Sequence, residues 1–183
     1  MEADMTIQKE AQVQLVSRIL RRLSAFWLFG GPCVILGVWI ALPWLPESIK
    51  TEMFHHPMGP VTPLVLAAGI AASIPGIVVH VLLFLQLMRL FGLWEKGIIL
   101  ETANVECFSK LGKFYLLSAV INILQESATS FALTLGLPRG HHSISIGFDT
   151  NQIQTFAIGL FLWLTAFVLE QGHRIKQEAD LTV

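Results

Sequence analysis

Four polar side chains that could exchange protons or bind a ligand lie inside two long apolar stretches: His80, Asn122, Gln125 and Glu126. On a helix that turns 100° per residue, the three at 122–126 fall within one arc of about 100°. Lipid cannot satisfy the hydrogen bonds of such an arc, so we expect it to face the interior of a helix bundle. Histidine and glutamate in this setting are the residue types that proton relays use.

The depth of these side chains follows from the nearest basic residues. His80 precedes Arg89 by nine positions, and Asn122 follows Lys113 by nine. At 1.5 Å per residue, each lies about 13 Å from that residue. If both basic residues lie at the same membrane face, the polar side chains share one level. The sequence therefore predicts an intramembrane polar cluster.

Two interpretations of this cluster stay open. In the first, His80 and Glu126 form a proton- or ligand-handling pair. In the second, Glu126 is protonated because an apolar medium disfavours its charged form. The cluster is then a set of hydrogen bonds that fixes how the helices pack.

Long apolar helices must position these residues. The chain has 183 residues, of which 54% are hydrophobic and 14% are charged, against about 25% charged in a typical soluble domain. A membrane-spanning helix needs about 20 mostly apolar residues. We predict an all-α integral membrane protein with one transmembrane domain over residues 24–169 and cytoplasmic tails at 1–23 and 170–183. The predicted spans are about 24–45, 64–88, 114–137 and 152–169.

Basic residues predict the orientation of the chain. Ten Lys and Arg residues lie in the two tails and the linker between spans two and three, and only Lys50 and Arg139 lie elsewhere. The positive-inside rule then places both termini and the middle linker in the cytoplasm. From Gln12 to Leu23, apolar residues recur at helical spacing with arginines between them. This pattern predicts an amphipathic interfacial helix that turns into the first span.

Aromatic and sulfur side chains near the predicted span ends have simple expected roles. Trp39, Trp44 and Trp94 lie where interfacial anchors are common. Cys33 falls in an apolar segment and Cys107 in the charged linker. We expect Cys33 to fill a small apolar space and Cys107 to be a thiol in a loop.

Two histidine pairs lie in the predicted outer loops, His55 with His56 and His141 with His142. Imidazoles on facing loops could bind Zn²⁺ or Cu²⁺. Neither spacing is diagnostic, however, and adjacent histidines point in different directions on most backbones.

Other chemistry is not indicated. The sequence has no Walker loop, no dinucleotide-type glycine pattern, no GxSxG and no HExxH, so we expect no cofactor and no enzyme of a familiar soluble type. The net charge of −1 gives no indication of direct nucleic-acid binding.

Short motifs in the middle linker and tail carry a family resemblance. The linker reads Gly-Ile-Ile-Leu from Gly97, Asn-Val from Asn104 and Lys-Leu-Gly ending at Gly112. The tail reads Glu-Gln-Gly over 170–172 and Glu-Ala-Asp-Leu-Thr-Val over 178–183. This pattern resembles a bacterial four-span membrane family, the domain of unknown function 2975. Leu100 stands where that family usually has Phe, and Ala103 where it has Glu.

The resemblance implies a four-span fold, a place in the bacterial inner membrane and a cytoplasmic group of motif residues. The motif residues are Gly97, Asn104, Gly112, Glu170, Gly172, Leu181 and Thr182. The resemblance also implies a cytoplasmic protein partner, a small helix-turn-helix regulator.

Three functions remain to be weighed. The first is a non-enzymatic membrane protein that binds a partner through its cytoplasmic linker and tail, because specific polar patterns in loops more often serve binding than packing. In the alternative interpretation, the cytoplasmic linker and tail only connect the spans, are exposed to water and bind no partner. The second is a small transporter or proton-coupled sensor using His80 and Glu126, which would need a homo-oligomer because four spans form a thin bundle. The third is a membrane-embedded enzyme or an outward-facing metal protein.

Overall fold

A computed structural model describes residues 2–54, 58–99, 101–137 and 150–180. Side chains are described for residues 11–54, 58–99, 101–137, 150–172 and 174. Every regular element in these ranges is helical, so the predicted all-α class is confirmed. The helices are α1 (Glu2–Ala41), α2 (Glu47–Phe54), α3 (Pro63–Glu95), α4 (Thr102–Thr134) and α5 (Thr150–Asp180), with a 3₁₀ turn at Leu42–Trp44.

Four of these helices, α1, α3, α4 and α5, are long and apolar enough to cross a membrane. Each contains an 18-residue window with a mean hydropathy between 1.3 and 2.2, and only 11–22% of each window is buried inside the protein. A soluble protein rarely leaves so much contiguous apolar surface exposed. The predicted four-span membrane fold is therefore confirmed.

The helices extend beyond the predicted spans. α3 continues to Glu95 and α4 begins at Thr102, so most of the predicted 89–113 linker is helical. Three buried residues, Leu90, Cys107 and Leu111, form a core cluster within these extensions. Tertiary packing therefore supports the helical turns on both sides of the short connection between α3 and α4.

The predicted turn between the amphipathic N-terminal segment and the first span is wrong. α1 is one helix of 40 residues, which corresponds to about 60 Å of length. No Gly or Pro occurs between residues 12 and 29. The hydroxyls of Ser17 and Ser24 donate to main-chain carbonyls four residues earlier, at 2.7 and 2.8 Å. Because Gly and Pro, which commonly interrupt helices, are absent around the predicted boundary at residue 24, the helix continues through it.

The chain divides into two compact units. The first unit comprises Met1–Phe29, Val81–Leu116 and Thr155–Val183. The second unit comprises Gly30–His80 and Leu117–Gln154. Each long membrane-crossing helix contributes residues to both.

Trp39 lies at the core of the second unit. Its side chain is only 3% exposed and packs with Leu42, Val65 and Leu133. Its indole Nε1–H donates to Ser73 Oγ at 2.8 Å. The prediction of an interfacial anchor at Trp39 is therefore wrong, because small residues on α3 make room for the ring.

Trp44, in contrast, is 78% exposed at the end of the same segment. This exposure agrees with the predicted interfacial role.

Cys107 belongs to the core of the first unit. It is fully buried and packs with Leu90 and Leu111, so the expected loop thiol is wrong. It lies before the predicted third span, and burial raises the pKa of its thiol. The thiol is therefore protonated and poorly reactive at neutral pH.

The predicted first outer connection contains a helix that the sequence analysis missed. Helix α2 carries Lys50, whose side chain is only 8% exposed and whose Nζ lies 2.8 Å from Glu47 Oε1. Both partners belong to α2, so a charged pair at i and i+3 accompanies the burial of the lysine.

A substitution at Gly69 tests the packing of the second unit. A Cβ at this position would overlap the indole of Trp39, and the hydrogen bond to Ser73 prevents the ring from moving freely. We expect Gly69→Ala to lower the free energy of unfolding by about 1–3 kcal/mol. Thermal unfolding in detergent measures this loss.

Gly37→Ala is the matched control, because a Cβ at Gly37 meets nothing within 4 Å. We expect Gly37→Ala to unfold at the wild-type temperature or slightly above it. Equal melting temperatures for the two variants would contradict this description of the core.

Candidate functional site

The structure places the four predicted cluster residues in different surroundings of the second unit. The half-buried imidazole of His80 lies against Gly31 of α1. The half-buried amide of Gln125 lies against Gly76 of α3. Glu126 faces α5, and Asn122 is exposed. The contacts of His80, Gln125 and Glu126 therefore lead to three different helices, α1, α3 and α5.

The Glu126 carboxylate bridges α4 and α5. Gln152 Nε2–H donates to Glu126 Oε2 at 3.0 Å, and Gln152 is only 8% exposed. A hydrogen bond between helices is a common way to place a polar group inside a membrane protein. This contact favours a packing role for Glu126, and the proton-handling interpretation stays a prediction.

Gln125 has an unusual environment. Its Oε1 atom is buried and accepts no hydrogen bond from the described residues. The atom packs against Gly76, at the position where a Cβ would otherwise lie. The absence of a side chain at Gly76 therefore lets the amide of Gln125 on α4 approach the backbone of α3 closely.

Asn122 differs from the expectation that the whole polar arc faces inward. Its side chain is exposed on α4, where only 22% of the most apolar window is buried. Asn122 therefore does not face inward with the rest of the predicted arc, and the homo-oligomer stays a prediction.

The predicted outer metal site lies outside the described residues, since His55, His56, His141 and His142 all fall in the gaps between the described ranges. Within the described ranges, no group of three or more His, Cys, Asp or Glu side chains is arranged to hold a metal ion. Metal binding at the histidine pairs stays a prediction.

Gly97 lies two residues after the end of α3, in the turn to α4 in the first unit. Its φ of 74° is left-handed, a conformation that glycine adopts without strain. The N–H of Gly97 donates to Trp94 O, and the N–H of Ile98 donates to Leu93 O, both at 3.0 Å. These two bonds form a Schellman motif. Gly97 therefore has a structural role, which is to allow the left-handed turn between α3 and α4.

Asn104 holds the two sides of this turn together. It is 2% exposed, its Oδ1 accepts the indole N–H of Trp94 at 2.9 Å, and its Nδ2 donates to Ile98 O at 3.2 Å. Trp94 thus uses its N–H inside the protein, which corrects the prediction of a simple interfacial anchor. The sequence signal for this contact was an amide and an indole ten residues apart, on either side of a glycine turn.

Gly112 brings α4 and α5 into close contact within the first unit. A Cβ at Gly112 would lie 2.8 Å from Trp163 N and 3.0 Å from Gly159 O. A Cβ at Gly159 would in turn lie 3.0 Å from Leu116 N. Reciprocal glycines of this kind allow backbones of membrane helices to approach.

The motif residues of the tail, unlike those of the linker, have no packing role among the described residues. Glu170 and Gly172 are exposed on α5, beyond the predicted fourth span. A Cβ at Gly172 would meet nothing within 4 Å. Leu181 and Thr182 lie outside the described residues. Packing therefore gives no reason for a glycine at 172.

A cleft of about 500 Å³ lies between α4 and α5 in the first unit, and Glu170 is part of its wall. Exposed Trp163 and Phe167 give it an apolar side. Its charged side chains are Glu106, Lys110, Lys113 and Glu170. Glu106 lies 3.7 Å from Lys110 and 3.8 Å from Arg89, both exposed pairs, which contribute little to stability.

Substitutions at Glu126 separate the two interpretations of the polar cluster. Glu126→Gln keeps an oxygen that can accept from Gln152, whereas Glu126→Leu removes it. We expect the Leu variant to lose about 1 kcal/mol of unfolding free energy and the Gln variant to match the wild type. Thermal unfolding in detergent measures both.

Asn122→Leu is the control on the same helix, because this exposed side chain holds no packed position, and we expect no loss. A Leu variant at 126 that is as stable as the wild type would contradict the packing role and favour proton or ligand chemistry.

Comparison with known proteins gives one family. Its sequence profile, described as "Protein of unknown function (DUF2975)", matches residues 16–183. Neither the curated proteins nor the solved structures contain a match to this chain. The resemblance noted in the linker and tail motifs is thereby confirmed.

Proposed function

The chain belongs to the DUF2975 family, and from this membership we propose that it is a multi-pass protein of the bacterial inner membrane that binds a cytoplasmic protein partner. The proposed binding surface is the α4–α5 cleft together with the exposed end of α5. We name it the tail surface and define it by Phe167, Glu170 and Gly172 with the cleft residue Lys113.

One observation carries this proposal. The family-type motif divides into residues with a folding role and residues without one. Gly97 and Asn104 form the α3–α4 turn, and Gly112 allows close packing. Glu170 and Gly172 are exposed. Specific residues in an exposed segment that packs nothing fit a binding role better than a structural one.

The chemistry of the cleft supports a helical partner segment. Aromatic faces of Trp163 and Phe167 lie beside Lys113 and Glu170. An amphipathic helix with an apolar stripe and charged flanks would match both kinds of wall. The resemblance suggests a small helix-turn-helix regulator as the protein that presents this helix. The ten-to-two distribution of basic residues supports a cytoplasmic location for the end of this surface at Glu170 and Gly172. Phe167 lies two residues inside the predicted end of the fourth span, next to that face of the membrane.

Site-specific photocrosslinking tests the proposal in native membranes. A benzophenone amino acid replaces Phe167, which is 56% exposed and lines the cleft. The control replaces Phe161, which is 68% exposed on the same helix and does not line the cleft. We expect a discrete protein adduct from position 167 and none from position 161. Mass spectrometry then identifies the protein.

Two substitutions on the tail surface complete the test. Glu170→Arg reverses a charge, and Gly172→Trp fills open space without disturbing a described contact. We expect each to reduce the adduct at least fivefold. Identical adducts from positions 161 and 167, adducts with lipid alone, or adducts unaffected by both substitutions would contradict partner binding here.

A further inference from the structure

A second cleft, of about 390 Å³, lies between α1 and α3 in the first unit. Its α1 wall consists of Arg18, Arg21, Arg22 and Ala25, and its α3 wall of Met88 and Glu95. The four α1 residues are spaced i, i+3, i+4 and i+7, so they share one face of the helix. We call this feature the arginine cleft.

Glu95 holds two of the guanidinium groups side by side. Arg18 Nε donates to Glu95 Oε1 and Arg21 Nη1 donates to Oε2, each at 3.0 Å. These hydrogen bonds, that of Arg21 foremost, hold the pKa of the Glu95 carboxyl below its usual range, so it is ionised at neutral pH. Each guanidinium has five N–H donors, and the bond to Glu95 uses one of them.

The charges of the cleft do not cancel. Three arginines and one carboxylate line it, which leaves two positive charges. Both paired arginines are about half exposed, so their remaining N–H groups are accessible to an anion. Guanidinium groups recognise phosphate with short, charge-assisted hydrogen bonds.

The cleft changes from apolar to basic along its length. Ala25 lies at the predicted start of span one and Met88 at the predicted end of span two. Arg22 and Arg21 lie three and four residues further out than Ala25, which corresponds to about 5–6 Å. The headgroup layer of one leaflet is about 5–8 Å thick. The apolar floor therefore matches the edge of the hydrocarbon, and Arg21 and Arg22 match the level of lipid headgroups.

We propose that the arginine cleft binds the phosphate group of an anionic phospholipid of the inner leaflet. The phosphate accepts hydrogen bonds from Arg21, Arg22 and Arg18, while the first acyl carbons lie against Ala25 and Met88. Basic pockets between membrane helices on the cytoplasmic side are suited to such headgroups. A soluble phosphate would leave the apolar floor unused. The site shares no residue with the tail surface, so its test is independent of partner binding.

Lipid titration of the full chain tests this inference. Purified protein in neutral detergent is titrated with phosphatidylglycerol or phosphatidylcholine, and native mass spectrometry measures the bound fraction. We expect phosphatidylglycerol to bind more tightly, and Arg21→Gln and Arg22→Gln each to weaken it about fivefold. Arg22→Gln leaves both described bonds to Glu95 in place, and Arg22→Lys should retain most of the binding.

Arg89→Gln is the matched control. Arg89 is 50% exposed, follows Met88 directly and pairs with Glu106 outside the cleft. We expect it to bind phosphatidylglycerol like the wild type. Equal losses for Arg22→Gln and Arg89→Gln would show only a general attraction to a basic surface and would overturn the site.

Inorganic phosphate distinguishes a lipid from a soluble ligand. We expect a large excess of phosphate not to displace phosphatidylglycerol. Displacement by phosphate, together with phosphate binding that depends on Arg22 in the absence of anionic lipid, would overturn the lipid assignment. Melting temperatures of all variants confirm that each compared protein is folded. No preference for phosphatidylglycerol over phosphatidylcholine in folded wild-type protein would also overturn the proposal.

Discussion

Lipid chains are as apolar as leucine, so burial of apolar surface does not drive one membrane helix against another. The chain must therefore use close backbone approach and hydrogen bonds between helices. In the second unit, Gly69 on α3 leaves room for the indole of Trp39, and Ser73 Oγ accepts the indole N–H. In the first unit, Gly112 and Gly159 bring α4 to α5. The carboxylate of Glu126 is best understood within this constraint, as a group whose amide partner comes from α5.

The same constraint separates the family-type residues by role. The α3–α4 turn needs a glycine in the left-handed conformation and a buried amide, which Gly97 and Asn104 supply. The crossing of α4 and α5 needs a position without a side chain, which Gly112 supplies. Packing does not constrain the end of α5 in this way, since a Cβ at Gly172 would meet nothing within 4 Å. A membrane protein can bind partners and lipids with the segments that its packing leaves exposed. The proposed tail surface and the arginine cleft both lie in exposed segments of this kind.

Composition and hydropathy predicted the four spans and the all-α class, because the bilayer sets the length and apolarity of a crossing helix. Burial of Trp39 and Cys107 was missed, because the same residue types suit an interfacial anchor and a loop thiol until their neighbours are known. The exposure of Asn122 depends on how much of α4 other helices cover, which a helical wheel does not contain.

Thermal unfolding of Asn104→Ala and Gly172→Trp in the same detergent tests the central claim, that the family-type motif combines a folding part with an exposed part. Removal of the Asn104 amide leaves the Trp94 N–H and the Ile98 carbonyl without this partner. The account predicts a loss of about 1–3 kcal/mol for Asn104→Ala and an unchanged melting temperature for Gly172→Trp. A wild-type melting temperature for Asn104→Ala, or an equal loss for Gly172→Trp, would contradict it.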